Sequence, residues 1–174
     1  MQKILLAVLI GACALQAQTP KEFLKEARDF YNGNKDTITR AAAKMPEADY
    51  AFKPTPEVRT YGQIIGHIAD TNVLICSMVS GSGKKNDASK LTSKAELSAA
   101  LKASFDECDK AFDSVTEANA AEVIGQGFLK RTRLNLLQFN TMHNNEMYGY
   151  ASVYLRLKNI VPPSSEPRKG PQAP

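Results

Sequence analysis

Apolar side chains recur every three to four residues in four separate stretches of the chain, which is the spacing of the buried face of a helix. The last stretch begins near Thr132 and must end before Pro163, because Pro162 and Pro163 cannot continue a helix and Asn159 is suited to a left-handed C-cap. Its predicted inward positions are Leu136, Phe139, Met147, Tyr150, Ala151, Tyr154 and Leu157. Asn140 and His143 fall on the same face.

The other three stretches each begin at a capping sequence, in which Ser or Thr precedes Glu or Gln by three residues. These sequences span residues 19–22, 60–63 and 93–96. The predicted inward positions are Phe23, Ala27, Phe30, Tyr31, Ile38, Ala41 and Met45 in helix 1; Ile64, His67, Ile68, Thr71, Leu74, Ile75 and Met78 in helix 2; and Leu97, Leu101, Phe105, Cys108, Phe112 and Val115 in helix 3.

Two long connections separate helix 1 from helix 2 and helix 3 from helix 4. Prolines exclude a regular helix from Pro46 to Arg59, and two glycines interrupt residues 116–131. Neither an internal repeat nor an alternating strand pattern is present. The sequence therefore predicts an all-α four-helix bundle over residues 19–166, followed by a disordered tail over residues 167–174.

The N-terminus has the pattern of a secretory signal peptide. Lys3 precedes an apolar run over residues 4–15, which is shorter than the roughly 20 residues that span a bilayer. A leader over residues 1–17, cleaved after Ala17, predicts an exported protein, periplasmic or extracellular. The alternative is a lipoprotein anchored at Cys13, because residues 10–13 resemble a lipobox.

Two cysteines, Cys76 and Cys108, remain after this cleavage. An even pair in an oxidising compartment predicts a disulfide, here between helices 2 and 3. The alternative is that both are small buried hydrophobic residues.

Charge and composition narrow the choice of partners. The chain has 174 residues, of which 43% are hydrophobic and none is Trp. Its formal net charge is +4. This mild and scattered charge argues against nucleic acid as a partner. The Gly81–Lys84 tetrapeptide resembles part of a phosphate-binding loop, but it lacks the full motif and follows a helix rather than a strand.

The two histidines of the chain, His67 and His143, are both predicted to face inward from different helices. Helix bundles build metal sites from side chains on facing helices, and imidazole suits zinc, nickel, iron or copper. A catalytic site normally has three protein ligands, so a third must be another residue type. Asp70 and Glu146 each follow a histidine by three residues and could supply an oxygen, although solvated charges are the simpler interpretation.

Several sequence blocks resemble the DinB-like four-helix-bundle family. They are residues 46–50, 56–60 and 66–70, and towards the end residues 143–149, 154–156 and 160–163. The resemblance runs from about Thr19 to Glu166. It implies a bundle, often paired as a homodimer, in which one histidine on helix 2 and two histidines four apart on the last helix hold a divalent metal.

His67 and His143 match the first two of these histidines, and Met147 stands at the third position. We therefore expect the two imidazoles to lie close together, with weak affinity for zinc or nickel, the metals that the resemblance implies. A thioether favours copper(I), so copper(I) is expected if Met147 ligates. The resulting hypothesis is an exported protein with an altered metal site, a metal-dependent enzyme of unknown substrate. The alternative is a metal-free bundle that binds a small ligand or serves as a structural homodimer.

Overall fold

The computed structural model describes residues 19–167 as four helices joined by irregular segments. The helices are α1 (Pro20–Lys44), α2 (Tyr61–Ser80), α3 (Lys94–Ser114) and α4 (Arg133–Leu157). The predicted all-α four-helix bundle is therefore confirmed. Over this range no helix combines the length and apolar character needed to cross a membrane. The expected signal peptide, Cys13, and residues 168–174 of the expected tail lie outside the described range.

The helix ends follow the capping chemistry of the sequence. Thr19 and Thr60 form complete capping boxes with Glu22 and Gln63. Ser93 accepts a hydrogen bond from the backbone N–H of Glu96, but the Glu96 carboxylate accepts from the Ser93 hydroxyl instead of the backbone N–H. At the end of α4, Asn159 has a φ of 58°, as the C-cap prediction requires.

Helix α2 is the central element, since it packs against α3, α4 and a short 3-10 turn at Ala88–Lys90. Its buried face is rotated from the predicted one, so that Leu74 is 54% exposed while Asn72 and Cys76 are fully buried. The inward prediction is also wrong for several residues of the outer helices: Phe23, Phe30, Tyr150 and Leu157. Residue spacing fixes the direction of a helical face only to within about one position.

A close approach fixes the 3-10 turn against α2, beside the first histidine. A Cβ atom on Gly66 would lie 2.7 Å from the carbonyl oxygen of Ala88. One helical turn later, the carboxylate of Asp70 accepts hydrogen bonds from the backbone N–H groups of Ala88 and Ser89, at 2.6 and 2.9 Å. Glycine is therefore required at position 66.

A disulfide joins α2 to α3, as predicted. Cys76 and Cys108 have Cα atoms 4.8 Å apart, and both residues are fully buried. The bond ties together the two helices that pack most extensively.

The two long connections hold short ordered elements. After α1 come a 3-10 turn at Glu47–Asp49 and Tyr50, whose hydroxyl donates to the carbonyl oxygen of Ala42 at 2.8 Å. Before α4, β1 (Val123–Ile124) pairs antiparallel with β2 (Arg131–Thr132). These two-residue strands are too short to produce an alternating pattern in the sequence, and they leave the all-α fold class unchanged.

Candidate metal centre

The two histidines meet between α2 and α4. Nε2 of His67 lies 3.1 Å from Nε2 of His143, and the ring centroids are 4.9 Å apart with the planes at 73°. Both residues are half-buried. The structure therefore brings together the two side chains that the helical pattern placed inward.

Their surroundings favour the neutral imidazole. Burial lowers the pKa of His67, and the nearby charges of Arg59 and His143 lower it further. Burial also lowers the pKa of His143, against the opposing effects of a hydrogen bond with Asn144 and the charge of Glu146. Since the unperturbed pKa of histidine is about 6.5, these lowered pKa values favour the neutral ring at pH 7, which is the form that binds metal ions.

The spacing of the two nitrogens fits a shared metal ion. With metal–nitrogen bonds of about 2.0–2.1 Å, a 3.1 Å separation corresponds to an angle of about 98° at the metal. This value lies between the octahedral and tetrahedral angles. However, residues 19–167 contain no cluster of three or more His, Cys, Asp or Glu side chains suited to a metal. Among these residue types, the two imidazoles are therefore the only ligands that the site offers within this range.

The proposed third ligands differ in their surroundings. Asp70 is engaged with the backbone of the 3-10 turn. Glu146 is exposed and accepts a hydrogen bond from the Tyr150 hydroxyl at 3.2 Å. Met147 is only 5% exposed and follows His143 by one helical turn. The donor set therefore fits a metal held by two imidazoles, with a thioether one turn away, rather than a three-histidine site.

Behind His143 lies a group of buried polar side chains that sequence reasoning largely missed. Asn72, Asn140, Asn144 and Ser104 are each at most 1% exposed. The amide nitrogens of Asn140 and Asn144 lie 2.9 and 2.7 Å from Oδ1 of Asn72. Only Asn140 was expected inward. The four-residue spacing of Asn140 and Asn144 beside His143 is the feature that could have indicated this group.

The structure defines a four-helix bundle in which a histidine from the second helix meets a histidine from the fourth. The family model of the DinB superfamily matches residues 32–151, which is more than half of the chain. The chain therefore belongs to the DinB superfamily. The family resemblance of the sequence blocks is confirmed.

Several solved structures share the fold, among them the two that follow. The crystal structure of a DinB-like protein from Bacillus cereus ATCC 10987 has a TM-score of 0.67 at 15% identity, with 82% of this chain and 95% of that chain covered. The mycothiol-dependent maleylpyruvate isomerase has a TM-score of 0.58 at 16% identity, with 78% of this chain but 62% of that chain covered. At these identities the similarity concerns the fold alone. No curated protein matches the chain.

Proposed function

We propose that this DinB-superfamily protein is exported and holds a divalent metal ion through Nε2 of His67 and Nε2 of His143, as a metal-dependent enzyme of unknown substrate. The observation that carries the proposal is the 3.1 Å separation of these two nitrogens. Their depressed pKa values support it, because proton competition for both rings is weak at pH 7.

A bound ion would act as a Lewis acid and lower the pKa of a water molecule at a position that the protein leaves open. His67 and His143 would hold and orient the ion from two helices. Arg59, whose charge lowers the pKa of both histidines, would attract an anionic group. Substrates with a carboxylate or a phosphate are therefore favoured over neutral ones.

Calorimetric titration of metal-stripped protein with zinc tests this function. We expect weak binding that is lost in His67→Ala and in His143→Ala. The matched control is Val153→Ala, because Val153 is a 53% exposed residue of the same helix as His143 and does not line the groove described below. Unchanged zinc affinity in both histidine variants would move the ion to another site and contradict the proposal.

Export has its own test, because the proposed leader is removed before the protein reaches its destination. Intact-mass analysis of the exported fraction should show a chain that begins near Gln18 without added lipid. A diacylglycerol mass on Cys13 would favour the lipoprotein alternative instead.

A second candidate function, binding of a neutral polyhydroxylated ligand, is favoured by a groove between α1 and α4. The groove has a volume of about 990 Å³ and is lined by Asn34, Gln138 and Asn145 together with Phe30. Oδ1 of Asn34 is buried without a hydrogen-bond partner in the described part of the chain. Amide groups can both donate to and accept from hydroxyl groups, and the 77% exposed ring of Phe30 can stack on the face of a sugar.

Titration with maltotriose tests this candidate, which predicts binding that Phe30→Ala abolishes. Phe128→Ala is the control, since Phe128 is 72% exposed and does not line the groove. A dimer that dissociates in Phe30→Ala, seen by sedimentation without any maltotriose binding, would assign the groove to the homodimer instead.

A further inference from the structure

The buried asparagines form a directed chain of hydrogen bonds, here called the asparagine relay (Asn72, Asn140 and Asn144). Its direction is set by Ser104, whose hydroxyl donates to the carbonyl oxygen of Leu101 at 2.7 Å. Because this hydroxyl has a single hydrogen, its oxygen can only accept from the Asn72 side chain, 3.1 Å away. The amide group of Asn72 therefore faces Ser104 with its nitrogen and faces α4 with its oxygen.

At its end on α4, the relay determines which ring nitrogen of His143 carries the hydrogen. Oδ1 of Asn72 accepts from both Asn140 and Asn144, so Asn144 presents its own oxygen to Nδ1 of His143, at 3.4 Å. An amide oxygen only accepts, which places the hydrogen of the imidazole on Nδ1. Nε2 of His143 is thereby left as a lone pair, and in the metal-free protein it accepts from Nε2 of His67.

The other end of the relay lies at the disulfide. The amide nitrogen of Asn140 is 3.7 Å from Sγ of Cys76 and 3.6 Å from Sγ of Cys108. A disulfide sulfur has no hydrogen and can only accept. Oδ1 of Asn140 is buried and has no partner within the described residues, so this amide is satisfied on one side only.

Reduction would change the contacts of Asn140 directly. A dithiol supplies two electrons and two protons, so that the S–S bond breaks, two S–H groups form, and the dithiol becomes a disulfide. The two sulfurs must then separate to van der Waals distance in a fully buried space, and Asn140 is in contact with both. The new S–H groups are donors, and Oδ1 of Asn140 is an acceptor without a donor.

We propose that the oxidation state of the Cys76–Cys108 disulfide sets the position of the proton on His143, with Asn72 as the positioning residue between them. With the disulfide formed, Asn72 holds Asn144 so that Nε2 of His143 is ready to bind. With the disulfide reduced, Asn140 turns towards the thiols, so that Oδ1 of Asn72 loses one of its two donors and the Asn72 amide is held less firmly, by Ser104 and Asn144 alone. Only the consequence for metal affinity rests on the proposed function, because the proton position exists in the metal-free protein.

The primary test is nitrogen NMR of the imidazoles in the full, metal-free protein, oxidised or refolded in dithiothreitol. We expect His143 to carry its hydrogen on Nδ1 in the oxidised protein and to exchange between both nitrogens in the reduced protein. The amide spectrum must show that the reduced protein is folded. Identical imidazole signals in the two folded states would overturn the proposal.

Variants test the same link where reduction itself unfolds the chain. In oxidised protein, Asn72→Ala should release the Nδ1 proton of His143. Val153→Ala should not, because Val153 lies on the same helix as His143 but is 53% exposed and outside the relay. Zinc affinity should fall about tenfold in Asn72→Ala, as for other groups that orient a metal-binding histidine. A fixed Nδ1 proton in Asn72→Ala overturns the relay. Asn72→Ala could release the proton while zinc binding does not depend on His67 or His143. That result would support the relay but contradict the proposed metal function.

Discussion

The carboxylate of Glu107 lies 2.7 Å from Nζ of Lys84, although Glu107 is buried in α3 and Lys84 belongs to an exposed loop. The hydroxyls of Ser80 and Ser82 donate to the same carboxylate at 2.7 and 2.6 Å. The Gly81–Lys84 tetrapeptide, which lacks the motif of a phosphate-binding loop, therefore binds a carboxylate of the protein itself through Ser82 and Lys84. These contacts hold the loop after α2 against α3.

Replacing Glu107 with Gln should lower the free energy of unfolding by about 2 kcal/mol at pH 7, since hydrogen bonds to a charged group are lost. Burial alone would raise the pKa of Glu107, but hydrogen bonds from Lys84, Ser82 and Ser80 outweigh it and lower the pKa to about 2. The stabilisation is therefore present above the ordinary glutamate pKa of 4.5 and is lost as the pH falls towards 2.

Urea unfolding of the two proteins across this pH range measures the difference. It should stay constant above pH 4.5 and shrink below it. Glu117→Gln, at an exposed position, serves as the control and should have no such effect. A difference that is independent of pH would show that the charge of Glu107 does not stabilise the loop.

Met147→His should strengthen zinc binding by about tenfold or more, because it supplies a third nitrogen one turn after His143. Calorimetry on metal-stripped protein measures the change. Met142→His places a histidine on the same helix at a position that is 70% exposed, and it should leave the zinc affinity as it is. Equal gains from both substitutions would mean that the added histidines bind zinc on the surface.

Asp70→Ala separates a structural role from a ligand role. The carboxylate accepts two backbone hydrogen bonds from the 3-10 turn, so its loss should cost about 2 kcal/mol of unfolding free energy. Zinc affinity of the folded variant, measured by calorimetry, should not change. A large loss of affinity without loss of stability would instead identify Asp70 as the missing oxygen ligand.

Two glycine substitutions should act in opposite directions. Gly66→Ala should lower stability by about 1–3 kcal/mol, because its Cβ would meet the backbone of Ala88 and Ser89 at 2.7 and 2.9 Å. Gly33→Ala lies within α1 with no atom within 4 Å of the added carbon, and it should raise stability by about 0.5–1 kcal/mol. Thermal unfolding measures both changes, and a stabilised Gly66→Ala protein would contradict the close approach.

Much of the fold could be predicted from interactions between residues that are close together in the sequence. Thr19 and Thr60 mark helix starts, and Asn159 marks the end of α4, because capping involves residues only a few positions apart. The exposed position of Leu74 could not be derived in this way. It depends on which neighbours surround α2, and that is decided by contacts between distant parts of the chain.

The same distinction between local and long-range interactions applies to the candidate metal centre. The proximity of His67 and His143 was predictable, because each lies on an apolar helical face and bundle faces converge. The role of Asn72 was not, since its partners Ser104 and Asn144 are 32 and 72 positions away. Binding of a metal by the histidine pair remains a prediction.

Gly66 packs closely against the 3-10 turn, and the residue that follows it is the histidine of the candidate metal site. Two adjacent residues therefore have different roles. Under the proposed function, packing against the 3-10 turn requires glycine at position 66, whereas metal binding requires histidine at position 67. A relative that binds no metal could then replace the histidine but not the glycine before it. A survey of relatives should then find glycine without histidine often, and histidine without glycine rarely.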